Sequence, residues 1–162
     1  MEQRMWFITG KPGTGKTTVL SKIIESLRDR GYKVGGMVSR EAREEGTRVG
    51  FKVKDLGNGK IGWLAHVKYG RGPQVGKYRV NLDDLKKIGA DAISTAVDHA
   101  GVVAIDEIGP MELYSERFKK AVRKAMNSGK LVVGTVHWRA GDELIEEIKR
   151  REDAEMVEVT YE

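Results

Sequence analysis

The chain has 162 residues, 40% of them hydrophobic and 33% charged, with a net charge of +5, no cysteine and three histidines. That length fits one domain, residues 1–162, with a core of its own. The missing cysteine excludes disulfides, thiol chemistry and thiolate-bound metal, and His66, His99 and His137 stand too far apart for a histidine zinc site. No apolar run reaches the ~18 residues that a membrane span needs, and residues 1–5 lead into the first strand without a signal-peptide core. The expectation is a cytoplasmic protein, of the charge-rich kind common in hot environments. The positive balance allows nucleic acid as a partner, but the charges alternate in sign and form no basic block, so the excess is expected to serve small anions.

Residues 6–9 read as a first strand. They run into Gly10-Lys11-Pro12-Gly13-Thr14-Gly15-Lys16-Thr17, a complete G-x-x-x-x-G-K-[ST] phosphate loop, the Walker A pattern. Residues 17–30 follow, with Val19, Leu20, Ile23, Ile24 and Leu27 at helical spacing and Gly31 at the end. Strand, glycine loop and helix is the order that a phosphate cradle requires. The glycines let successive N–H groups turn inward, and the helix start adds partial positive charge. Lys16 brings a charge to the outer phosphates and the Thr17 hydroxyl can ligate Mg²⁺.

Residues 33–39 read as a second strand, weakened by Gly35-Gly36. From 40 to 81 a period-two pattern broken by glycines predicts an antiparallel insertion projecting from the main sheet. Its parts are a hairpin of 48–56 and 60–66 around Gly57-Asn58-Gly59 and a short strand at 76–80. Residues 82–99 regain helical spacing through Leu85, Ile88, Ile93, Ala96 and Val97, with Gly89 as a point of interruption. Val102-Val103-Ala104-Ile105 is a strand buried on both faces. Ser115 caps a helix whose inner side is Phe118, Ala121, Val122 and Ala125. Residues 131–136 form another buried strand, 142–151 a helix and 156–161 a last strand. Strands alternating with helices predict a three-layer α/β fold with a mainly parallel sheet.

The strand at 102–105 ends in Asp106-Glu107, the Walker B form, and ligands of open α/β sheets gather at such strand ends. Asp106 would hold Mg²⁺, directly or through water, and Glu107 would orient or deprotonate an attacking water. The pair resembles the P-loop class with an additional strand and a catalytic glutamate. In that class the strand after Walker B inserts between it and the P-loop strand, here residues 131–136. Thr135, His137 or Arg139 would then stand at the γ-phosphate as a sensor, unless 137–139 is only a packed loop.

Five stretches carry a closer resemblance: Gly10-Lys11-Pro12-Gly13-Thr14-Gly15-Lys16-Thr17-Thr18, Gly46-Thr47-Arg48-Val49-Gly50-Phe51, Val75-Gly76-Lys77-Tyr78-Arg79-Val80, Ile105-Asp106-Glu107-Ile108-Gly109-Pro110-Met111-Glu112-Leu113 and Gly134-Thr135-Val136-His137. Together they resemble the thermophilic nucleoside-triphosphatase family, whose animal members are called cancer-related nucleoside triphosphatases. The resemblance implies slow, Mg²⁺-dependent hydrolysis of ATP, GTP, CTP and UTP to diphosphate and phosphate. It also implies that Val102, Val103, Ala104, Ile105, Asp106, Glu107, Ile108 and Gly109 line the nucleotide site with the loop.

In the mechanism this suggests, Lys16 and Glu107 are catalytic, and Thr17 and Asp106 hold the metal. An arginine finger would come from Arg40, Arg43, Arg48, Arg79 or Arg139, with no spacing rule to choose among them. No Asn-Lys-x-Asp stretch reads guanine, so base specificity is expected to be broad, with Trp63, Tyr69, Tyr78, Tyr114 and Trp138 as stacking candidates. Two rivals fit the same loop. A nucleotide or small-molecule kinase is disfavoured by Glu107 and by the lack of an Arg-rich lid. A nucleotide-gated nucleic-acid-binding module rests on the net charge of +5 and on the glycine-rich insertion as a moving part.

Overall fold

The computed structural model describes residues 4–160; the residues before Arg4, and the expected strand end at Tyr161, lie outside the described residues. Strand β1 (Met5–Thr9) passes through the phosphate loop into helix α1 (Lys16–Asp29). Strands β2 (Val34–Glu44), β3 (Thr47–Asp55), β4 (Ile61–His66), β5 (Gln74–Val75) and β6 (Tyr78–Val80) follow. A helical run holds α2 (Leu82–Asp84), a π-helical turn (Leu85–Ala90) and α3 (Asp91–His99). Then come β7 (Val102–Ile108), α4 (Glu116–Met126), β8 (Leu131–Val136), α5 (Glu143–Arg150) and β9 (Ala154–Glu158).

The strands form one nine-stranded sheet in the order β5-β6-β4-β3-β2-β7-β8-β1-β9. Helix α1 covers one face, where Leu20 and Ile24 meet Ile8, Val34, Val102, Ala104 and Val133. The opposite face packs Phe7, Met37, Val103 and Ile105 against Ile93, Phe118, Val122 and Ile145 of the other helices. The alternation along β7, Val102 and Ala104 to one side and Val103 and Ile105 to the other, is the period of a strand with both faces buried. Each Val or Ile side chain among them contributes about 1.5–3 kcal/mol by leaving water, and the Ala104 methyl about 0.8 kcal/mol. Ser115 caps α4 by accepting from the Phe118 N–H at 3.1 Å, as its position in the sequence predicts.

Three expectations are corrected. The sheet is mixed rather than mainly parallel: β9, β1, β8, β7 and the first half of β2 run parallel, while β2 with β3, β3 with β4, β4 with β6 and β6 with β5 are antiparallel. The segment at 40–81 does not project from that sheet but continues it. The reason lies in β2, whose Val34–Met37 part pairs with β7 and whose remainder, to Glu44, pairs with β3. Val53, Leu64 and Val80 of this extension are buried in the same core as Phe7 and Phe118. Gly36 is a requirement of that sheet rather than a weakness: its φ is +115°, and a Cβ there would run into the Ala104 backbone of β7. At Gly89 the α-helical pattern is interrupted, as the sequence predicts, though the helical run does not end there. This glycine lies in the π-helical turn, where a Cβ would sit 3.1 Å from Met37 Sδ and 3.2 Å from Leu85 Cδ1.

Candidate active site

The phosphate loop is shaped by local contacts. Gly10 is pinned where a Cβ would lie 2.5 Å from the Val159 carbonyl oxygen and 2.9 Å from Thr14 Oγ1. The Thr14 hydroxyl donates to the Lys11 carbonyl at 2.8 Å and closes the turn. Gly15 takes a left-handed φ of 89° and launches α1 at Lys16, with no side-chain cap and no acidic residue in the first turn. A helix start of that kind presents N–H groups and partial positive charge to an anion.

Strand β7 brings the acids to the same place. Its pairing with β8 runs from Val102 to Ile105, then slips, and resumes at Ile108. Asp106 and Glu107 therefore leave the ladder at the carboxyl end of the sheet. Strand β8 lies between β7 and β1, so the inserted-strand order expected from the sequence is present. Lys16 Nζ stands 2.8 Å from Glu107 Oε2, linking the start of α1 to the end of β7. Asp106 is buried, at 3% exposure. Its Oδ1 accepts from the Thr135 hydroxyl at 2.8 Å, and the Thr17 hydroxyl bonds it as well. Burial pushes the Asp106 carboxyl up to about 6, against the pull of those two hydroxyls and Lys16, and the neighbouring Glu107 pushes the same way as burial.

A third carboxyl joins them. Glu112, in a 3₁₀ turn after β7, is buried, and its carboxyl accepts from the Glu107 backbone N–H. Burial above all, with Glu107 and Asp106 adding to it, holds that carboxyl well above the ordinary range and favours its proton. The two side chains converge at Gly109, where a Cβ would be 2.9 Å from Glu107 Oε1 and 3.3 Å from Glu112 Oε1.

Thr17, Asp106 and Glu107 open into a cavity of about 660 Å³. Its far wall comes from the antiparallel extension: Glu41, Arg48, Phe51 and Tyr78, with Leu64 and Val75 behind them. Arg48 is held there by Tyr78, whose hydroxyl accepts from Nε at 2.8 Å, and by Glu41, at 2.9 Å.

The structure thus brings together Lys16, Thr17, Asp106 and Glu107. Val102, Val103, Ala104 and Ile105 are wholly buried in the body of β7, Ile108 is buried in the core as well, and of the 102–109 segment Asp106 and Glu107 line the cavity. The Thr135 hydroxyl is spent on Asp106, His137 lines the cavity, and Arg139 stacks on Trp138 with its guanidinium carbon 4.3 Å from the ring centre. Arg40 and Arg48 reach the cavity, while Arg43 binds Glu41 and the Gly46 carbonyl, and Arg79 the Gly72 carbonyl. Of the five aromatics, Trp138 lies beside the loop, 5.9 Å from Lys11 Nζ. Tyr78 lines the cavity. Trp63 packs on His66, Tyr69 bonds Asn81, and Tyr114 is exposed. Arg48 and Tyr78 are separate candidates in the sequence, one as a finger and one for stacking; that they bond each other, and that Glu41 and the buried Glu112 join the site, has no spacing signature.

Among the described residues no group of three or more His, Cys, Asp or Glu can hold a metal ion alone. Thr17 and Asp106 nevertheless suit Mg²⁺. They are two hard oxygen donors already in contact, and Mg²⁺ commonly takes one or two protein ligands and completes its shell with phosphate oxygens and water. A cation there would also favour the ionised Asp106 that burial disfavours.

A family model described as NTPase matches residues 5–162 of the chain. The nucleoside-triphosphatase THEP1 of Thermofilum pendens is 55% identical over 139 residues, covering 86% of this chain and 76% of that protein. THEP1 of Methanosarcina acetivorans is 50% identical over 131 residues, 80% of this chain and 74% of that protein. Among solved structures, THEP1 from the hyperthermophile Aquifex aeolicus superposes with a TM-score of 0.84 at 33% identity, covering 96% of this chain and 90% of that one. A human cancer-related nucleoside triphosphatase gives 0.82 at 35% identity, covering 100% and 90%.

Proposed function

This chain belongs to the NTPase family whose model it matches, and from that premise we propose that the Lys16–Glu107 site hydrolyses several nucleoside triphosphates, ATP, GTP, CTP and UTP among them, to diphosphate and phosphate with Mg²⁺. The chain is a nucleoside-triphosphate phosphohydrolase, and the observation that supports this assignment of its site is the 2.8 Å contact between Lys16 Nζ and Glu107 Oε2. It sets the phosphate-binding charge and the water-positioning carboxylate side by side.

The backbone donors of residues 10–17 and the start of α1 hold the phosphates. Lys16 exchanges Glu107 for the outer phosphate oxygens. Glu107, released, orients a water in line with the bond to the departing diphosphate and accepts its proton. Thr135 keeps Asp106 aimed at the metal position through their 2.8 Å bond. Mg²⁺, when bound, would neutralise charge on the phosphate oxygens. Trp138, beside Lys11, offers a ring face without base-reading groups, in keeping with broad base use. A cis-acting arginine finger is not part of this reading: Arg48 is already engaged by Glu41 and Tyr78. Turnover without a finger is expected to be slow, since one is worth roughly 10³–10⁵ in rate.

Phosphate release from ATP, GTP, CTP and UTP, with and without Mg²⁺ and with no other acceptor, tests the proposal. Release from all four that needs Mg²⁺ is expected. No release until an acceptor is added would replace hydrolysis with transfer.

A further inference from the structure

The stretches Gly46–Phe51 and Val75–Val80 stand out in the sequence, and hydrolysis at Lys16 and Glu107 makes no use of them. In the fold they meet. Arg48 bonds Tyr78 at 2.8 Å, and the Phe51 and Tyr78 rings stand edge to face at 5.2 Å. The Arg48 guanidinium lies over both, 5.2 Å from Phe51 and 5.8 Å from Tyr78. Glu41 balances its charge. This cluster is built and satisfied before any ligand arrives, and it walls the same cavity as Thr17, Asp106 and Glu107.

That cavity runs from the outer-phosphate position at Thr17, Asp106 and Glu107 out to the Phe51–Tyr78 wall. Thr17 and Asp106 mark the metal and outer-phosphate end of a nucleotide on such a loop. Of the phosphate loop only Thr17 lines the cavity, while Lys11 at the other end of the loop lies next to Trp138. Its volume, about 660 Å³, is many times the ~30 Å³ that one water takes in the liquid. The metal, the outer phosphate and the attacking water belong to its Thr17–Asp106–Glu107 end and leave the end walled by Phe51 and Tyr78 without a use. Apolar and aromatic walls with a few convergent polar groups are the usual make-up of a small-molecule site. Here the partly exposed Phe51 ring offers a stacking surface backed by the buried Tyr78, Glu41 an acceptor, and Arg40 and His137 sites for an anion.

We infer that the cavity between the Phe51–Tyr78 wall and the Asp106–Glu107 strand end binds a second nucleotide of the nucleoside-monophosphate class, base against the rings and phosphate toward Arg40 and His137. The inference rests on the placing of the triphosphate at Lys16 and Thr17. The aromatic wall supplies stacking that is indifferent to base identity, and Glu41 can accept from an exocyclic amino group or a ribose hydroxyl. A ligand in this place stands between bulk solvent and the terminal phosphate, so phosphate release falls as it fills.

The test uses the full chain loaded with Mg²⁺ and a non-hydrolysable ATP analogue. AMP, GMP, CMP and UMP are titrated in turn by calorimetry, and saturation-transfer NMR reports contact with the Phe51 and Tyr78 ring protons. At least one monophosphate is expected to bind the loaded protein with transfer from those rings, and to inhibit phosphate release from ATP without raising its KM. Phe51→Ala should weaken the monophosphate at least tenfold and the analogue no more than twofold. Absence of binding to the loaded protein overturns the inference. So does inhibition competitive with ATP, or a Phe51→Ala loss falling on the analogue, since either means that the wall serves the triphosphate's own base. Ring transfer in the unaltered chain decides if Phe51→Ala does not fold. Phosphate release measured without monophosphate tests the hydrolase reading separately, so either can fail alone.

Discussion

The two halves of the sheet solve different problems. The parallel half, β9-β1-β8-β7, ends its strands in one place, so a loop from β1 and two acids from β7 arrive together although 91 positions separate Lys16 from Glu107. The antiparallel half, β3 to β6, has no such convergence of strand ends. It reaches the site sideways, through side chains of neighbouring strands, as Glu41 of β2 faces Phe51 of β3 across the ladder and bonds Arg48 diagonally. The first half thus carries charge for phosphate and metal. The second offers a prepared wall of rings and a neutralised ion pair. Strand β2 belongs to both and fixes the distance between them.

If that division holds, the largest effects come from the parallel half. Lys16→Ala should abolish tight nucleotide binding and lower turnover by at least about 10³, the scale of a lost transition-state charge in a site of this kind. Nucleotide affinity and single-turnover phosphate release measure both. Glu107→Gln separates binding from chemistry. Turnover should fall by roughly 10²–10⁴, the range for a lost general base. Nucleotide affinity should hold or rise, because Lys16 no longer has a carboxylate 2.8 Å away competing with phosphate. Normal turnover in this variant would remove Glu107 from its assigned role.

A smaller effect is expected one layer back. Thr135→Val leaves Asp106 without its 2.8 Å donor in a buried setting, at a cost of about 1–3 kcal/mol for the unpaired group. Burial already pushes Asp106 up to about 6, and the substitution pushes further, so more Mg²⁺ is needed for half-maximal rate and the acid limb of the rate profile moves to higher pH. Glu112 yields a pH test of stability. Its folded-state carboxyl is held well above the ordinary 4.5 by burial, so the folded chain keeps a proton that the unfolded chain gives up. Stability from this group is present below pH 4.5 and is lost as pH rises through the folded-state value. Glu112→Gln should therefore gain on the unaltered chain as pH increases, read from denaturant midpoints between about pH 5 and about pH 8.

The sequence made the parallel half legible and the other half only partly so. A phosphate loop has fixed spacing because its chemistry is made by consecutive backbone N–H groups, and Asp106-Glu107 follows an apolar run because the strand must be buried to end there. Glycines are read less well. Gly36 looks like a flaw in a strand, yet it is where β2 crosses close over the Ala104 backbone. The glycine-broken run at 40–81 looks like a separate projection for the same reason, and no local pattern says that β2 bends from one partner to the next. The residues of the far wall stand out one by one, but not as a wall, because Arg48, Phe51 and Tyr78 meet through strand register, a long-range property. Glu112 reads as an ordinary surface acid of a turn until the fold buries it beneath Glu107.

The smallest expected effect lies in that wall and decides whether the division is real. Arg48 is the arginine of the extension with a fixed direction toward the cavity, so Arg48→Met asks whether it touches the triphosphate. Its pair with Glu41 is half exposed on both sides, 42% and 45%, and such pairs are worth about 0–1 kcal/mol, so the melting point should move little. Both of its bonded nitrogens already have partners within the extension, Tyr78 and Glu41, and reaching a terminal phosphate would mean breaking them. Hydrolysis of ATP should then fall by no more than about tenfold, far short of the 10³–10⁵ that an arginine finger supplies. A loss in that larger range, with nucleotide affinity kept, would mean that the antiparallel half takes part in the chemistry and that Arg48 leaves Glu41 when the triphosphate binds.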